Sequence, residues 1–440
     1  MGPGAELPRS LGLTDSVAIV VGTIIGSGIF LVPNLVARST PSPGLIIAVW
    51  IFSGVLSFCG ALAYAELGAM IPTTGGQYVY LREAYGPLWA FLCGWTYFFV
   101  ILSAAVAWLS ISLAAYLGRW VALPPLGSKA VAFGVIGSVT WVNYRGVTLG
   151  AAAQKTFTFV KIAGLLILVG SAFLSGRGTG VLPDATPSTG GFSISRFGTA
   201  MLPCLVAYDG WVALSFVAGE VRNPKRMLPL ALALGLGSAI GIYVLANAAY
   251  LRVLSVPEIA ATDRVGTLLA ERTIGPIGAS IVTFTILMSI AGAINGWAMT
   301  APRIYFAQAR DGLFFRRFGD VHPRYQTPYF SILVFGAWSA LLAVTGTYET
   351  LASYAMFAAW VFYGLTAAGI FVLRRKWPDR ARPYRMFGYP WTLLAFESVA
   401  LGFVMNTVVT APQPAIIAIL LIAAGVPVYF SCRGKRWMTY

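Results

Sequence analysis

Residues 17–36 read VAIVVGTIIGSGIFLVPNLV, an apolar run that three glycines, Gly22, Gly26 and Gly28, interrupt near its middle. An apolar run of about 18 or more residues can cross the hydrocarbon core of a membrane as a helix. Glycine is about 1 kcal/mol less favourable than alanine inside a helix, so three of them within seven residues weaken this one at mid-membrane. The stretch therefore predicts a membrane span that is broken at its centre.

A second apolar run, residues 197–218, is interrupted near its middle by AYDGW, residues 207–211. If spans one to five and six to ten are repeats of one another, the two breaks occupy corresponding positions. Paired broken spans in two halves indicate a transporter binding site at an inverted-repeat interface. Close helix packing through small residues is the alternative explanation of residues 26–28. The second break is in register with the first and contains a charged residue. These two features favour a transporter over simple helix packing.

The rest of the chain has the composition of a membrane protein. Of its 440 residues, 58% are hydrophobic and 10% are charged, whereas soluble domains carry about 25% charged residues. Backbone groups in lipid must be paired, so the long runs must be helices, and the short alternating segments of a membrane barrel are absent from the sequence. We predict an all-α integral membrane protein formed by one polytopic domain, residues 1–440, with about twelve transmembrane helices. The predicted spans are residues 17–36, 45–70, 88–117, 129–143, 156–175, 197–218, 228–250, 277–301, 328–346, 350–373, 390–411 and 413–432.

Basic residues predict the orientation of these spans. The net charge of +15 is spread over short loops, which excludes a nucleic-acid-binding face. With both termini cytoplasmic, 21 of the 30 lysines and arginines lie inside, one lies within a span, and eight lie outside. The eight are Arg38, Arg119, Lys129, Arg177, Arg196, Arg252, Arg264 and Arg272. This asymmetry follows the positive-inside rule and predicts a multi-pass cell-membrane protein with both termini in the cytoplasm.

Four ionisable residues, Glu66, Lys161, Asp209 and Glu397, fall within spans, where charges are costly and usually functional. Two more, Asp15 and Glu220, lie at span ends, where we expect water or headgroups to solvate them. A solvated or ion-paired structural role for Glu66 is as good an expectation as a functional one. Glu397 lies outside the repeats, which favours a structural or oligomer contact.

Lys161 has two interpretations. Its long side chain could reach the cytoplasmic surface, or its ammonium could bind carbonyls freed by the break in span one. In the second case the fixed charge stands where other transporters hold a sodium ion.

The two breaks together predict a receptor for a zwitterion. Gly26-Ser27-Gly28 frees amide N–H groups at the start of a half-helix, and these suit a carboxylate. Carbonyls freed around Val206, Ala207 and Asp209 suit an ammonium group. Specificity would then fall to the side chains that line the remaining cavity.

Segments spread from about residue 11 to residue 436 resemble the L-type amino acid transporter family of the amino acid–polyamine–organocation superfamily. Each segment is weak alone, but their order and spacing are specific. They are GTIIGSGIF (22–30), YAELG (64–68), IPTTGGQY (71–78), EAYGP (83–87), AYDGW (207–211), GEVRNP (219–224) and ARDG (309–312).

The resemblance implies a leucine-transporter-type fold with a five-plus-five inverted repeat and broken helices one and six. Repeat one would cover about 12–176 and repeat two about 196–376, with helices eleven and twelve at about 390–432. It also implies sodium-independent amino acid transport, usually by obligatory exchange.

The resemblance also assigns residues to roles. Lys161 would occupy the sodium position and, with Tyr208, act in coupling or gating. The substrate-binding residues it implies are Ile24, Ile25, Gly26, Ser27, Gly28, Val206, Ala207 and Asp209 at the breaks, with Val100, Ile101, Phe357 and Trp360 around the side-chain pocket.

Two departures from the family pattern stand out. The position before Ala207 is usually a bulky aromatic that closes over the substrate, and here it is Val206, which leaves room for a larger substrate. Eukaryotic members bond an ancillary glycoprotein through a cysteine between spans three and four. The loop from Leu117 to Ser128 has no cysteine, so we expect a bacterial-type member that works without a disulfide-linked subunit.

We therefore predict an exchanger of neutral L-amino acids that works by alternating access. Two alternatives of the same fold are a proton-coupled carrier, in which Lys161 or Asp209 titrates, and a carrier of cationic amino acids or amines that pair with Asp209. No charged filter indicates a channel. The lone His322 and the scattered cysteines offer no cluster for a metal, so we expect no enzyme activity, no metal and no cofactor.

Overall fold

The computed structural model describes residues 7–40, 42–118, 120–176 and 193–434, without the side chains of 348–350 and 432–434. Within these ranges the chain forms helices and loops, and an isolated β-bridge joins Leu11 to Val221. The charges that the orientation places at Arg119, Arg177, Lys435 and Arg436 lie outside the described residues. The helices are α1 Leu13–Ile24, α2 Gly28–Ser39, α3 Pro43–Met70, α4 Gln77–Tyr85, α5 Pro87–Thr96, α6 Leu102–Leu117, α7 Pro125–Tyr144, α8 Val147–Leu174, α9 Ile194–Ala207, α10 Ala213–Phe216, α11 Pro224–Val253, α12 Val256–Ala261, α13 Val265–Thr273, α14 Pro276–Thr300, α15 Pro302–Arg310, α16 Tyr329–Thr345, α17 Tyr348–Lys376, α18 Trp391–Thr410, α19 Pro412–Ala423 and α20 Gly425–Gly434.

Most of the predicted spans are long apolar helices. In the described part of the chain nine helical segments are long and apolar enough to cross a membrane, and the bent pair α1–α2 makes a tenth. The pair bends by 43° at its break, which confirms the predicted interruption of span one. The apolar helices α9 and α16 are shorter. The protein is therefore a multi-pass helical membrane protein.

Proline opens several of these helices, namely α3, α5, α7, α11 and α14. Its fixed φ suits the first helical turn, and its missing N–H would have no intrahelical acceptor there. Four short helices, α4, α12, α13 and α15, lie between the predicted spans. These segments are too short and too polar to give a membrane-type signal.

One end of the helical bundle, which we call the basic face, collects the arginine-rich segments around residues 82, 222, 310 and 374. Ion pairs fasten it: the Arg374 guanidinium donates to the Glu66 carboxylate at 2.7 and 3.0 Å. The Met386 amide donates to the same carboxylate at 2.7 Å. Glu66 is 1% exposed, so it is ion-paired rather than solvated.

The other end, the opposite face, is fastened by arginines that cap carbonyls. Arg38 donates to the Ala260 carbonyl at 2.9 Å, and Arg252 donates to that of Ala172 at 3.3 Å. Arg272 hydrogen-bonds Glu258, and this bond lowers the pKa of the Glu258 carboxyl to about 2. The carboxylate therefore stays ionised near neutral pH, and this fastening persists.

Glu220 corrects the expectation that it is solvated at a span end. Both Glu220 and Arg303 are completely buried, and their side chains join at 2.8 and 3.2 Å. Arg303 also donates to the Met299 carbonyl at 2.5 Å. The segment after the second break is thus tied to α15. Asp15, by contrast, pairs at 2.8 Å with the half-exposed Lys155.

We predict that Glu220→Gln destabilises the protein strongly, because it leaves a buried guanidinium without its counter-charge. Breaking a buried ion pair costs roughly 3–5 kcal/mol, so the thermal unfolding midpoint in detergent should fall well below that of the wild type. Asp263→Asn is the matched control, since Asp263 and Arg264 form an exposed pair of the kind worth about 1 kcal/mol or less. Equal midpoints for the two variants would contradict the prediction.

Candidate functional site

The first break exposes backbone donors. α1 ends at Ile24 and α2 begins at Gly28. In the described part of the chain, the amides of Ser27, Gly28 and Ile29 donate to no backbone carbonyl. They stand at the N-terminus of α2, where the helix dipole is positive, so this position suits an anion.

The second break lies against the first. α9 ends at Ala207, and Gly210 adopts φ +118° in the turn that follows. A Cβ atom at Gly210 would lie 2.8 Å from the carbonyl carbon of Thr23 and 2.9 Å from the amide nitrogen of Ile24. The Thr23 hydroxyl lies 3.0 Å from the Gly210 carbonyl oxygen and shares its single proton between that acceptor and the carbonyls of Ile19 and Val20. A glycine is required here because the two backbones touch.

A cavity of about 300 Å³ opens beside the two breaks. Its polar wall contains Thr23, Ser27 and Asp209, and the exposed side chain of Val206 projects beside them. The structure thus brings together most of the residues that the sequence predicts at the breaks. Those on the cavity wall are Ile24, Gly26, Ser27, Gly28, Val206, Ala207 and Asp209.

The residues predicted to form the side-chain pocket lie away from this cavity, and their contact with substrate stays a prediction. Val100, Ile101, Phe357 and Trp360 are buried but do not line this cavity. Trp360, for example, stacks on Phe403 of α18, with ring centroids 4.9 Å apart.

The cavity wall comes instead from Trp108 and Leu109 on α6 and from Ala352 and Met356 on α17. On both helices the lining residues lie nearer the opposite face than the predicted residues do, by about two turns on α6. A π-helical segment, Tyr97–Ile101, precedes α6. Such a segment is frequent at functional sites, but the one residue that it adds to a turn does not account for a shift of two turns.

Lys161 lies directly behind the first break. It is 0% exposed, which rules out a side chain that reaches the surface. Its ammonium donates to the carbonyls of Gly22 at 2.9 Å, Ile25 at 2.6 Å and Ser289 at 3.1 Å. An ammonium has three donors, so these three acceptors satisfy it and join α1, α8 and α14. The role of Lys161 in coupling remains a prediction.

Two hydroxyl residues at the breaks were missed by the sequence analysis. Tyr243 donates to the carbonyls of Ile24 at 2.9 Å and Ala207 at 3.0 Å, one from each break. Ser289 donates to the carbonyls of Ile25 at 2.8 Å and Gly26 at 3.0 Å. A single hydroxyl in an apolar span is too common to be a signal on its own.

Two predicted residues, Ile25 and Tyr208, lie behind the wall. The Ile25 carbonyl is held by Lys161 and Ser289, and its side chain is 0% exposed. The Tyr208 ring is also fully buried and packs on Trp50 and Tyr243. The gating role of Tyr208 stays a prediction.

Asp209 connects the cavity to α17. Its carboxylate accepts a 2.8 Å hydrogen bond from the hydroxyl of Tyr363, and part of its surface remains open to the cavity. Its backbone amide donates to the Val206 carbonyl at 3.2 Å. The second break therefore offers a carboxylate and partly engaged carbonyls, which are acceptors for a positively charged group.

In the described ranges, no group of three or more histidine, cysteine or acidic side chains could hold a metal ion. Cys59, Cys93 and Cys204 are buried free thiols, and the side chain of Cys432 lies outside the description. The site offers hydrogen-bond donors and acceptors for a small polar molecule.

Broken apolar helices that meet across a small cavity are the architecture typical of a helical membrane transporter. More particularly, the chain belongs to the amino acid permease family, whose model matches residues 11–428.

Several curated proteins are similar over nearly the whole chain. The human b(0,+)-type amino acid transporter 1 is 33% identical over 97% of this chain and 88% of its own. The serine/threonine exchanger SteT of Bacillus subtilis is 30% identical over 98% of both. The human cystine/glutamate transporter is 32% identical over 97% of this chain and 86% of its own.

Gly28 and Gly26 form a matched pair for testing the first break. A Cβ atom at Gly28 would lie 2.9 Å from the Ala207 Cβ, whereas one at Gly26 would meet its nearest neighbour at 3.8 Å. We predict that Gly28→Ala raises the apparent substrate constant at least threefold and that Gly26→Ala changes it less, as measured by radiolabelled uptake at matched protein abundance. Ala207→Gly should partly rescue Gly28→Ala. Equal effects of the two alanines would contradict the proposed approach of the breaks.

Proposed function

We propose that this protein is a sodium-independent exchanger of neutral L-amino acids that works by alternating access. The observation that carries the proposal is the pairing across one cavity of unengaged amides at Ser27 and Gly28 with acceptors at Val206 and Asp209. An α-amino acid carries its carboxylate and ammonium on adjacent atoms, so it can engage both sides at once. The printed names of the relatives, which include an exchanger of serine and threonine, support amino acid exchange.

In this proposal the substrate carboxylate takes the amides of α2, and the ammonium takes the carbonyls of the second break. The Ala207 carbonyl already accepts from Tyr243, and its second lone pair remains for the substrate. The side chain then points toward the wall formed by Trp108, Trp297 and Met356. That wall is apolar, which favours neutral side chains.

Sodium independence is proposed from Lys161. Its buried ammonium already satisfies the carbonyls that a sodium ion could otherwise coordinate at the first break. A second cation beside it would be repelled in a low-dielectric setting.

A carrier of cationic amino acids or amines is the second candidate. Asp209 lies on the cavity wall with one oxygen bonded to Tyr363, and an ionised carboxylate there would attract a guanidinium or a second amine. Proton-coupled uptake through Lys161 or Asp209 is a further possibility of the same fold. Counterflow separates it from exchange, because an exchanger needs amino acid on the far side of the membrane.

The finer architecture is proposed as well. We infer twelve transmembrane helices, with α9–α10 and α16 completing the set, in two inverted repeats of five (about 12–176 and 196–376) and a final pair. The positive-inside rule places the basic face and both termini in the cytoplasm of a cell membrane. The loop Leu117–Ser128 lacks a cysteine, which fits a bacterial-type member without a disulfide-linked subunit.

The first test is exchange itself. Purified protein in proteoliposomes should take up radiolabelled neutral amino acids when an amino acid is present inside. Sodium should not stimulate this uptake. Competition by a panel of neutral, cationic and acidic amino acids then defines the substrate class.

We predict that Lys161→Ala reduces exchange to background while the protein remains folded by gel filtration. The substitution leaves the buried carbonyls of Gly22, Ile25 and Ser289 without their donor. Lys155→Ala is the control, because it removes a half-exposed lysine from the same helix and should leave turnover near that of the wild type. Normal turnover in Lys161→Ala, or a clear stimulation by sodium, would overturn the assigned role.

We predict that Val206→Phe tightens the apparent affinity for small neutral amino acids and weakens it for large ones. The ring would cover the substrate and shrink the cavity in front of Trp108 and Met356. At roughly 25 cal/mol per Å², some tens of Å² of new contact supply about 1 kcal/mol, near a fivefold change. Overpacking acts in the opposite sense on bulky substrates. The measurement is a competition series from glycine to tryptophan, and an unchanged ratio of small to large affinities would show that Val206 does not face the substrate.

A further inference from the structure

A second cavity, of about 410 Å³, opens on the basic face. Its walls come from segments that are distant in the sequence: the N-terminal segment, the loop after α3, α4, the segment before α11, and the end of α15. Charged side chains of both signs line it, namely Arg9, Arg82, Arg310 and Asp311. Its apolar wall includes Leu7, Val79 and Phe306.

Two of these charged side chains, Arg82 and Asp311, form an ion pair. Arg82 on α4 binds the carboxylate of Asp311, and the Tyr78 hydroxyl donates to the same carboxylate at 2.8 Å. Both charged side chains are 31% exposed. The pair joins α4 to the end of α15, so it holds two walls of the cavity together.

A set of hydrogen-bonded polar side chains, which we call the polar barrier, reaches from the cavity at the breaks to α4. It starts at Asp209, which is bonded to Tyr363. Tyr97 then donates to the amide oxygen of Gln77, and the Gln77 side-chain nitrogen donates to Thr366 at 3.2 Å. Gln77 begins α4, the helix that carries Arg82. The barrier is therefore connected through α4 to the Arg82–Asp311 pair.

We propose that the basic-face cavity is a second binding site for the zwitterionic head group of an amino acid, and that binding there replaces the Arg82–Asp311 pair. The substrate carboxylate takes the Arg82 guanidinium, and its ammonium takes the Asp311 carboxylate. This inference rests on the proposed amino acid transport. A simple anion would meet only half of the site, since the Asp311 carboxylate would repel it.

The energies make such an exchange of partners feasible. A partly exposed ion pair contributes little to stability, so little is lost when it opens. Two charge-assisted hydrogen bonds to the substrate replace it. A ligand that binds only the opened state shifts the equilibrium toward that state. Amino acid on the basic-face side thus opens the ion pair that joins α4 to the end of α15 and leaves the Tyr78–Asp311 hydrogen bond there. Loosening of this side is thereby tied to the presence of substrate.

The test uses sided transport by the full-length protein in proteoliposomes with radiolabelled L-serine and L-leucine. We expect Asp311→Asn to raise the apparent constant for substrate on the basic-face side at least threefold. It should leave the constant on the opposite side unchanged, because the cavity at the breaks is untouched. We also expect net uptake into vesicles without internal amino acid to rise at least threefold, since the pair no longer holds the walls together.

Two further variants isolate the pair. Glu83→Gln removes the other acidic partner of Arg82, which does not line the cavity, and should behave like the wild type. The charge swap Arg82→Asp with Asp311→Arg should restore the low net uptake into empty vesicles, because it re-forms an ion pair across the same two walls.

Direct binding separates this inference from the proposed function. In detergent, equilibrium binding of the same two amino acids should give two sites per wild-type protein and one per Asp311→Asn protein. One site in the wild type, or unchanged constants on both sides in Asp311→Asn, would overturn the second site while exchange itself stands. Failure of the wild type to exchange any amino acid would instead refute the proposed function.

Discussion

The ammonium of Lys161 is the interaction on which the arrangement of the site depends. Breaking span one leaves carbonyls in a medium that offers no water, and an unpaired polar group there is costly. Lys161 and Ser289 satisfy these carbonyls from α8 and α14. The break can therefore persist at mid-membrane, and its free amides remain on the side that faces the cavity.

The second break is held against the first by contacts that only their proximity permits. Gly210 lets the backbones touch, Thr23 donates across the contact, and Tyr243 bridges a carbonyl from each side. The donors for a carboxylate and the acceptors for an ammonium thus come to lie on one small cavity. In the proposed function, these two half-sites of opposite polarity at fixed separation select an α-amino acid head group.

Cavities lie on both sides of a polar barrier, one beside the breaks and one on the basic face. Its hydrogen-bonded members are tyrosine, glutamine and threonine side chains around Tyr363 and Gln77. They pack among buried aromatic rings, namely Phe216, Phe362 and Trp211. The hydrogen bonds in this region can exchange partners with water or substrate at small net cost.

The sequence by itself determined the membrane class, the positions of most spans and the two breaks. The length of an apolar run and its glycine content are local properties of the sequence. In lipid, such a run can pair its backbone groups only as a helix. It also identified Lys161 as a candidate, since a charge within a span is costly and must find partners there. The tertiary structure alone decided which carbonyls Lys161 binds and that Ser289 shares the Ile25 carbonyl with it. It also decided that Tyr243 joins the carbonyls of Ile24 and Ala207, and that Glu220 is buried on Arg303. It also decided that Trp108 and Met356, rather than Val100 and Phe357, line the cavity. Those outcomes depend on how helices from distant parts of the chain pack against one another, which leaves no local pattern in the sequence.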